Sequence, residues 1–191
     1  MDESDLLKKY NSLYLEIIMK YKDYIEEQES LYVAELPKLV TPADESVKGL
    51  AALILSKFQD YNYEKDFYEA SRLSYEFVKE SIKTVTLPIQ FWLKPSLTIN
   101  HGAGDLFDKA VLLCSLLISL GNPSAKIIIV VGENRRSVVV YFELNGKIIA
   151  MDLEKGVSSF GIKEELLKAL RIGSDDATAY EFNDRMYNDI A

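Results

Sequence analysis

Apolar residues recur at three- and four-residue intervals near the N-terminus: Tyr10, Leu13, Tyr14, Ile17, Ile18, Tyr21, Tyr24 and Ile25. That spacing predicts an α-helix with one apolar stripe, its opposite face carrying Lys20, Lys22, Asp23, Glu26 and Glu27. Pro37 and Pro42 bracket a linker, and Thr41-Pro42-Ala43-Asp44 has the form of a helix start, with a capping Thr, Pro at the first helical position and an acid in the first turn. A second helix is expected from there to Lys57. A third runs from Glu64 to Ile82 with Phe67, Ala70, Leu73, Ser74, Phe77 and Val78 facing inward. Between Thr84 and Asn100 the periodicity fails; Pro88 and Pro95 punctuate Ile89-Gln90-Phe91-Trp92-Leu93, which predicts an irregular, aromatic-anchored connection. A glycine-containing turn, Asn100 to Asp105, leads into a helix from Asp105 to Leu120. That helix is apolar almost all round and therefore belongs inside a core. Gly121-Asn122-Pro123 stops it.

Three β segments follow, Lys126 to Val131, Ser137 to Leu144 and Lys147 to Leu153. Asn145-Gly146 is the strongest hairpin signal, because both residues tolerate the positive φ of a type I′ turn. A two-residue loop sets Leu144 opposite Lys147 and hence Asp152 opposite Val139, with Ser137 on the same face as Asp152. The chain closes with a short helix, Lys163 to Leu170, and an aromatic tail of Tyr180, Phe182 and Tyr187 that is expected to dock on the core. Helices that precede a β meander indicate an α+β fold.

Composition narrows the chemistry. The 191 residues fit one domain, divided into an N-terminal helical extension (1–40), a core (41–160) and a C-terminal helix with the aromatic tail (161–191). A formal charge of -8, with no basic run, argues against a nucleic-acid partner. The acidic, polar start does not resemble a signal peptide. The longest apolar runs fall short of the roughly 20 residues that span a bilayer. A cytoplasmic protein with no membrane partner is expected. One Cys and one His exclude an intramolecular disulfide and any Cys/His zinc cage, which needs about four ligands. No metal or other cofactor is expected. Tyr, Ile, Lys and Glu are favoured as in heat-adapted proteins.

A buried helix that follows a Gly-Asp turn and precedes an Ile/Val meander resembles the transglutaminase-like core of the broad papain-like group. The residues that carry the resemblance are Phe91 to Pro95, Gly102 to Ala110, Leu112 to Leu117 and Glu143 through Asp152, within a span from Asp66 to Glu154. In that family a Cys opens the helix, a His lies near the start of the following hairpin, and an Asp lies on its second strand. The helix N-terminus lowers the thiol pKa, the His moves the proton, and the Asp orients the imidazole. Carried onto this chain, those positions are Leu106, Ser137 and Asp152. The resemblance therefore implies a degenerate member of archaeal type, without the catalytic Cys and His.

The remaining Cys and His do not rebuild the pair. Cys114 lies about 12 Å along the helix from Leu106 at 1.5 Å per residue, and its leucine neighbours mark it as a small buried hydrophobe. His101 falls in the turn before the helix. Asp105 and Asp108 are expected to cap that helix, competing with any anion at Gly102-Ala103-Gly104. Arg135-Arg136 is expected in a solvated turn. Asp152, if buried, requires a partner in Ser137 or a backbone donor. The leading expectation is an inactive domain that binds a protein or peptide in the former substrate cleft, lined by Trp92, Gly104, Asp105, Leu106, Ser137, Val139 and Asp152. The N-terminal helix offers a homodimer surface. The alternatives are a cysteine-independent hydrolase or acyltransferase at the same cleft, and a purely structural subunit.

Overall fold

The structure is a computed structural model and describes residues 33–86, 92–133, 135–173 and 177–191, with isolated positions between 15 and 23. Most of the N-terminal apolar stripe lies outside the described residues. Of the described positions there, Leu15 and Met19 are helical and exposed.

The linker before the first described α-helix is ordered by the core itself. A 3-10 helix over Val33–Leu39 buries Leu36 and Leu39, and the Thr41 N–H donates to Ser115 Oγ at 3.1 Å. Helix α1, Glu45–Leu55, buries Val47, Leu50, Ala51 and Ile54. Its cap is Asp44 rather than Thr41: the Asp44 carboxylate accepts the Ser46 N–H, while the Thr41 carbonyl closes a turn onto the Asp44 N–H. A carboxylate at the positive end of the helix satisfies a free donor and complements the dipole. Asn62 caps α2, Tyr63–Ser81, which buries Phe67, Ala70, Ser71, Ser74, Tyr75 and Val78 and leaves Leu73 and Phe77 half-buried at the core margin.

The stretch expected to be irregular contains regular pieces. Helix α3, Pro95–His101, starts with Pro95 in the first turn, where its missing N–H costs nothing. Strand β1, Lys83–Thr84, pairs in parallel with β2, Ala103–Gly104. His101 is thus the last residue of α3 rather than part of a turn. Both elements are too short to show a period, and the proline that reads as punctuation is a helix start.

Helix α4, Leu106–Ser119, is the centre of the molecule; Phe107 through Leu117 are all buried. Helices α1, α2 and α3 and the sheet all pack against it. The sheet follows as β3 (Lys126–Gly132), β4 (Arg135–Leu144), β5 (Lys147–Asp152) and β6 (Gly156–Phe160), then helix α5 (Lys163–Ala169), β7 (Thr178–Phe182) and β8 (Tyr187–Asp189). It is six-stranded in the order β6-β5-β4-β3-β7-β8, every pair antiparallel. Asn145 (φ 52°) and Gly146 (φ 70°) form the expected turn, and the expected register holds: Leu144 faces Lys147 and Val139 faces Asp152. Arg135 and Arg136 belong to β4 instead of the turn. The aromatic tail enters the sheet as β7 and β8, with Phe182 fully buried and Tyr180 stacked on Tyr187.

Both faces of the sheet are covered. Ile127, Ile129, Val140, Phe142, Ile149, Met151 and Phe182 join the core around α4. Ile128, Val130, Val139, Tyr141, Ile148, Ala150 and Ala179 form a second core with Leu166 of α5. Fully burying each large aliphatic or aromatic side chain contributes about 1.5–3 kcal/mol, so the core around α4, the larger of the two, is the main source of stability.

Candidate functional site

The N-terminus of α4 is held by a reciprocal acid box. The Asp105 carboxylate accepts the Asp108 N–H at 2.8 Å, and Asp108 Oδ2 accepts the Asp105 N–H at 2.9 Å. Capping is the role expected for both. Asp108 also does more: its Oδ1 accepts the Leu93 N–H at 2.8 Å, which pins the chain leaving the aromatic connection to the helix start. Burial, reinforced by the charge of Asp105, pushes the Asp108 carboxyl up to about 7 against the pull of its backbone donors. Gly104 is required beside it, since a Cβ there would stand 2.9 Å from Asp108 Cβ and 3.2 Å from Thr98 Cγ2.

Lys109 is buried next to Asp108 and is used as a cap for another helix. Its ammonium donates to the carbonyls of Ile82 (2.8 Å) and Lys79 (3.2 Å) and to Thr84 Oγ1 (3.1 Å), closing the end of α2. Burial and the nearby Lys79 lower its pKa. Sequence reasoning missed this role. The available signal was an adjacent Asp-Lys pair inside an otherwise apolar helix, because buried charges persist only where partners exist.

The positions expected to form a cleft divide into two groups. Around the α4 start, Leu106 is half-buried and packs on the main core, and half-buried Trp92 places its ring 5.4 Å from that of Phe107. Gly104 and Asp105 adjoin them in the chain. Ser137, Val139 and Asp152 do not join this group. Alternate residues of a strand point to opposite faces, and β4 sends Val138, Val140 and Phe142 to the α4 core but Val139 and Tyr141 to the α5 core. Ser137 and Asp152 share the Val139 side, so a single cleft lined by Leu106, Ser137 and Asp152 is corrected to two separate surfaces. The residues of this region that do join the α4 core are Val138 and Leu153, both aliphatic.

Asp152 has the backbone partners its partial burial requires. Its Oδ1 accepts the N–H groups of Glu154 and Lys155, each at 2.9 Å, and Lys155 Nζ lies 3.6 Å from Oδ2. The carboxylate caps the β5–β6 turn. Cys114 is fully buried, and burial, followed by the charge of Asp184, raises its thiol pKa. His101 is exposed. On the α5 face, the fully buried Glu181 carboxylate accepts from Tyr141 Oη at 2.6 Å, lies 2.9 Å from Lys126 Nζ and also binds Lys163. Burial pushes Glu181 up, but hydrogen bonds from Lys163, Tyr141 and Lys126 outweigh it and hold the carboxylate below its ordinary pKa. Among the described residues, no group of three or more His, Cys, Asp or Glu is placed to hold a metal ion, and no helix is long and apolar enough to cross a membrane.

The overall fold is shared with a solved structure. Legionella pneumophila LapG (EGTA-treated) superposes with a TM-score of 0.52 at 15% sequence identity, covering 84% of this chain and 87% of that one. The fold is transglutaminase-like. Two further LapG structures, one of them calcium-bound, are 17% identical and cover 75% of this chain and 85% of theirs, with TM-scores of 0.45 and 0.44. No protein-family model matches the sequence, and no curated protein matches it. In this fold α4 is the central helix, and its first residue is Leu106.

Proposed function

We propose that the chain is a catalytically silent transglutaminase-like domain, acting in the cytoplasm by binding a protein or peptide at the start of α4. The observation that carries this reading is the apolar pair of half-exposed side chains there, Leu106 and Trp92, set on a rigid frame of Asp105, Asp108 and Gly104. A half-buried Trp beside a half-buried Leu offers the kind of anchor that dominates protein interfaces. Loss of thiol chemistry is supported by three placements. Leu106 opens the helix, Cys114 is sealed in the core, and Asp152 is occupied by its own turn on the other face of the sheet.

Trp92 is the sole tryptophan, so its fluorescence reports the proposed surface directly. Peptides selected from a displayed random library on the folded protein are expected to shift Trp92 emission saturably. Leu106→Lys should weaken that binding by about tenfold or more, in line with loss of a hot-spot contact. Selected peptides that bind without moving Trp92 emission, or that bind Leu106→Lys equally well, would contradict the reading.

A further inference from the structure

The sheet has two edges with different fates. Strand β8 packs against the 3-10 helix Val33–Leu39. Strand β6 has β5 on one side and, among the described residues, no strand on the other. Its three central residues, Val157, Ser158 and Ser159, are exposed. Edges are ordinarily protected by Lys, Pro or an inward charge; Gly156-Val-Ser-Ser-Phe160 contains none of these. Val157 is 40% exposed, and Ile162, just past the strand, is 55% exposed.

From this edge we infer that the chain self-associates, β6 pairing antiparallel with β6 of a second copy about a two-fold axis through Ser158. The register follows from strand geometry and charge. Residues facing each other in a regular antiparallel pair turn their N–H and C=O groups both toward the partner or both away, so the axis must pass through a residue. An axis at Ser159 pairs only Ser158, Ser159 and Phe160 among themselves. An axis at Val157 pairs only Gly156, Val157 and Ser158 among themselves. An axis at Ser158 uses all 5 residues: Gly156 meets Phe160, Val157 meets Ser159, and Ser158 meets its own copy.

The same register brings opposite charges together. Lys155, whose side chain is 70% exposed, comes opposite Gly161 of the second copy. The Gly161 N–H is held by Glu165 Oε2 at 2.8 Å, so a carboxylate waits where the ammonium arrives. Lys155 leans toward Asp152, on the sheet face that carries α5, and Glu165 belongs to α5. The two-fold repeats this Lys155–Glu165 contact on both sides of the axis, as an isologous interface must. The two sheets become one continuous sheet with both α5 helices on the same face.

The test uses the full chain and two readouts. Cα atoms directly opposite in an antiparallel pair lie about 4.5–5.5 Å apart, within disulfide range. Ser158→Cys is therefore expected to form an inter-chain disulfide under mild oxidation, while Val157→Cys, offset from its own copy, forms far less. Cys114 is sealed in the core and gives no background. In sedimentation equilibrium the wild-type chain is expected to dimerise. Lys155→Glu should raise the dissociation constant by about tenfold, and Lys155→Glu with Glu165→Lys should restore most of the affinity, provided circular dichroism shows both variants folded. A wild-type monomer up to millimolar concentration overturns the inference. So does a dimer indifferent to Lys155→Glu, or one that fails to crosslink through Ser158→Cys.

Discussion

Asp108 and Glu181 are both buried carboxyls, and their surroundings drive them in opposite directions. Asp108 is raised to about 7 from an ordinary 3.8 by burial and Asp105. Between those values the folded chain binds more protons at this site than the unfolded chain, so its stability contribution is full below about pH 4 and is lost as pH rises toward 7. The unfolding free energy of the wild type minus that of Asp108→Asn is therefore expected to fall across that window in urea titrations; a difference constant with pH would contradict it. Glu181 is lowered by Lys163, Tyr141 and Lys126 after its burial penalty is offset. Its contribution is present above its unfolded pKa and lost as pH falls. Glu181→Ala leaves Lys126 and Lys163 without their acceptor and should cost about 3 kcal/mol near pH 7, measured by the same titrations; a change under about 1 kcal/mol would show that the cluster is solvated.

Among the elements, α4 was fully legible because eleven consecutive buried residues, Phe107 through Leu117, leave no polar face for solvent. The β4–β5 register was legible because Asn145-Gly146 admits essentially one turn. Which face of β4 looks at α4 was not. The runs Ile127-Ile128-Ile129-Val130 and Val138-Val139-Val140-Tyr141-Phe142 are apolar at every position, as strands covered on both sides are, and lack the alternation that marks an inner face. The two-sided cover comes from α5, whose Leu166 closes the second core. The resemblance placed Ser137 and Asp152 beside Leu106, and with both faces apolar the strand pattern determined only their mutual register. Strand β6 was missed for a related reason, since Gly156-Val-Ser-Ser-Phe160 carries little β pattern and is defined by pairing with β5. The division of labour along α4 is testable. Leu113→Ala, fully buried, should cost about 2–5 kcal/mol of stability, whereas Leu106→Ala, half-buried, should cost less than half as much in chemical denaturation. Equal losses would make Leu106 core rather than surface.

For the whole molecule, the fold is a transglutaminase-like scaffold, and the function proposed above is that the three groups the resembling family brings together are missing from it. Helix α4 is opened by Leu106, the thiol of Cys114 is in the interior with its pKa raised by burial, and the exposed imidazole of His101 ends a different helix. The resemblance found in the sequence anticipated the α+β fold, because the Gly-Asp turn, the apolar helix and the Ile/Val meander follow one another in the fold's order. Of the two partners expected for Asp152, Ser137 or a backbone donor, the structure supplies the second, the N–H groups of Glu154 and Lys155 in the β5–β6 turn. The most direct test of the central claim is a turnover screen of the folded, wild-type chain against amide and ester substrates. The account predicts no rate above the protein-free control. Saturable turnover that disappears in Asp152→Ala would contradict it.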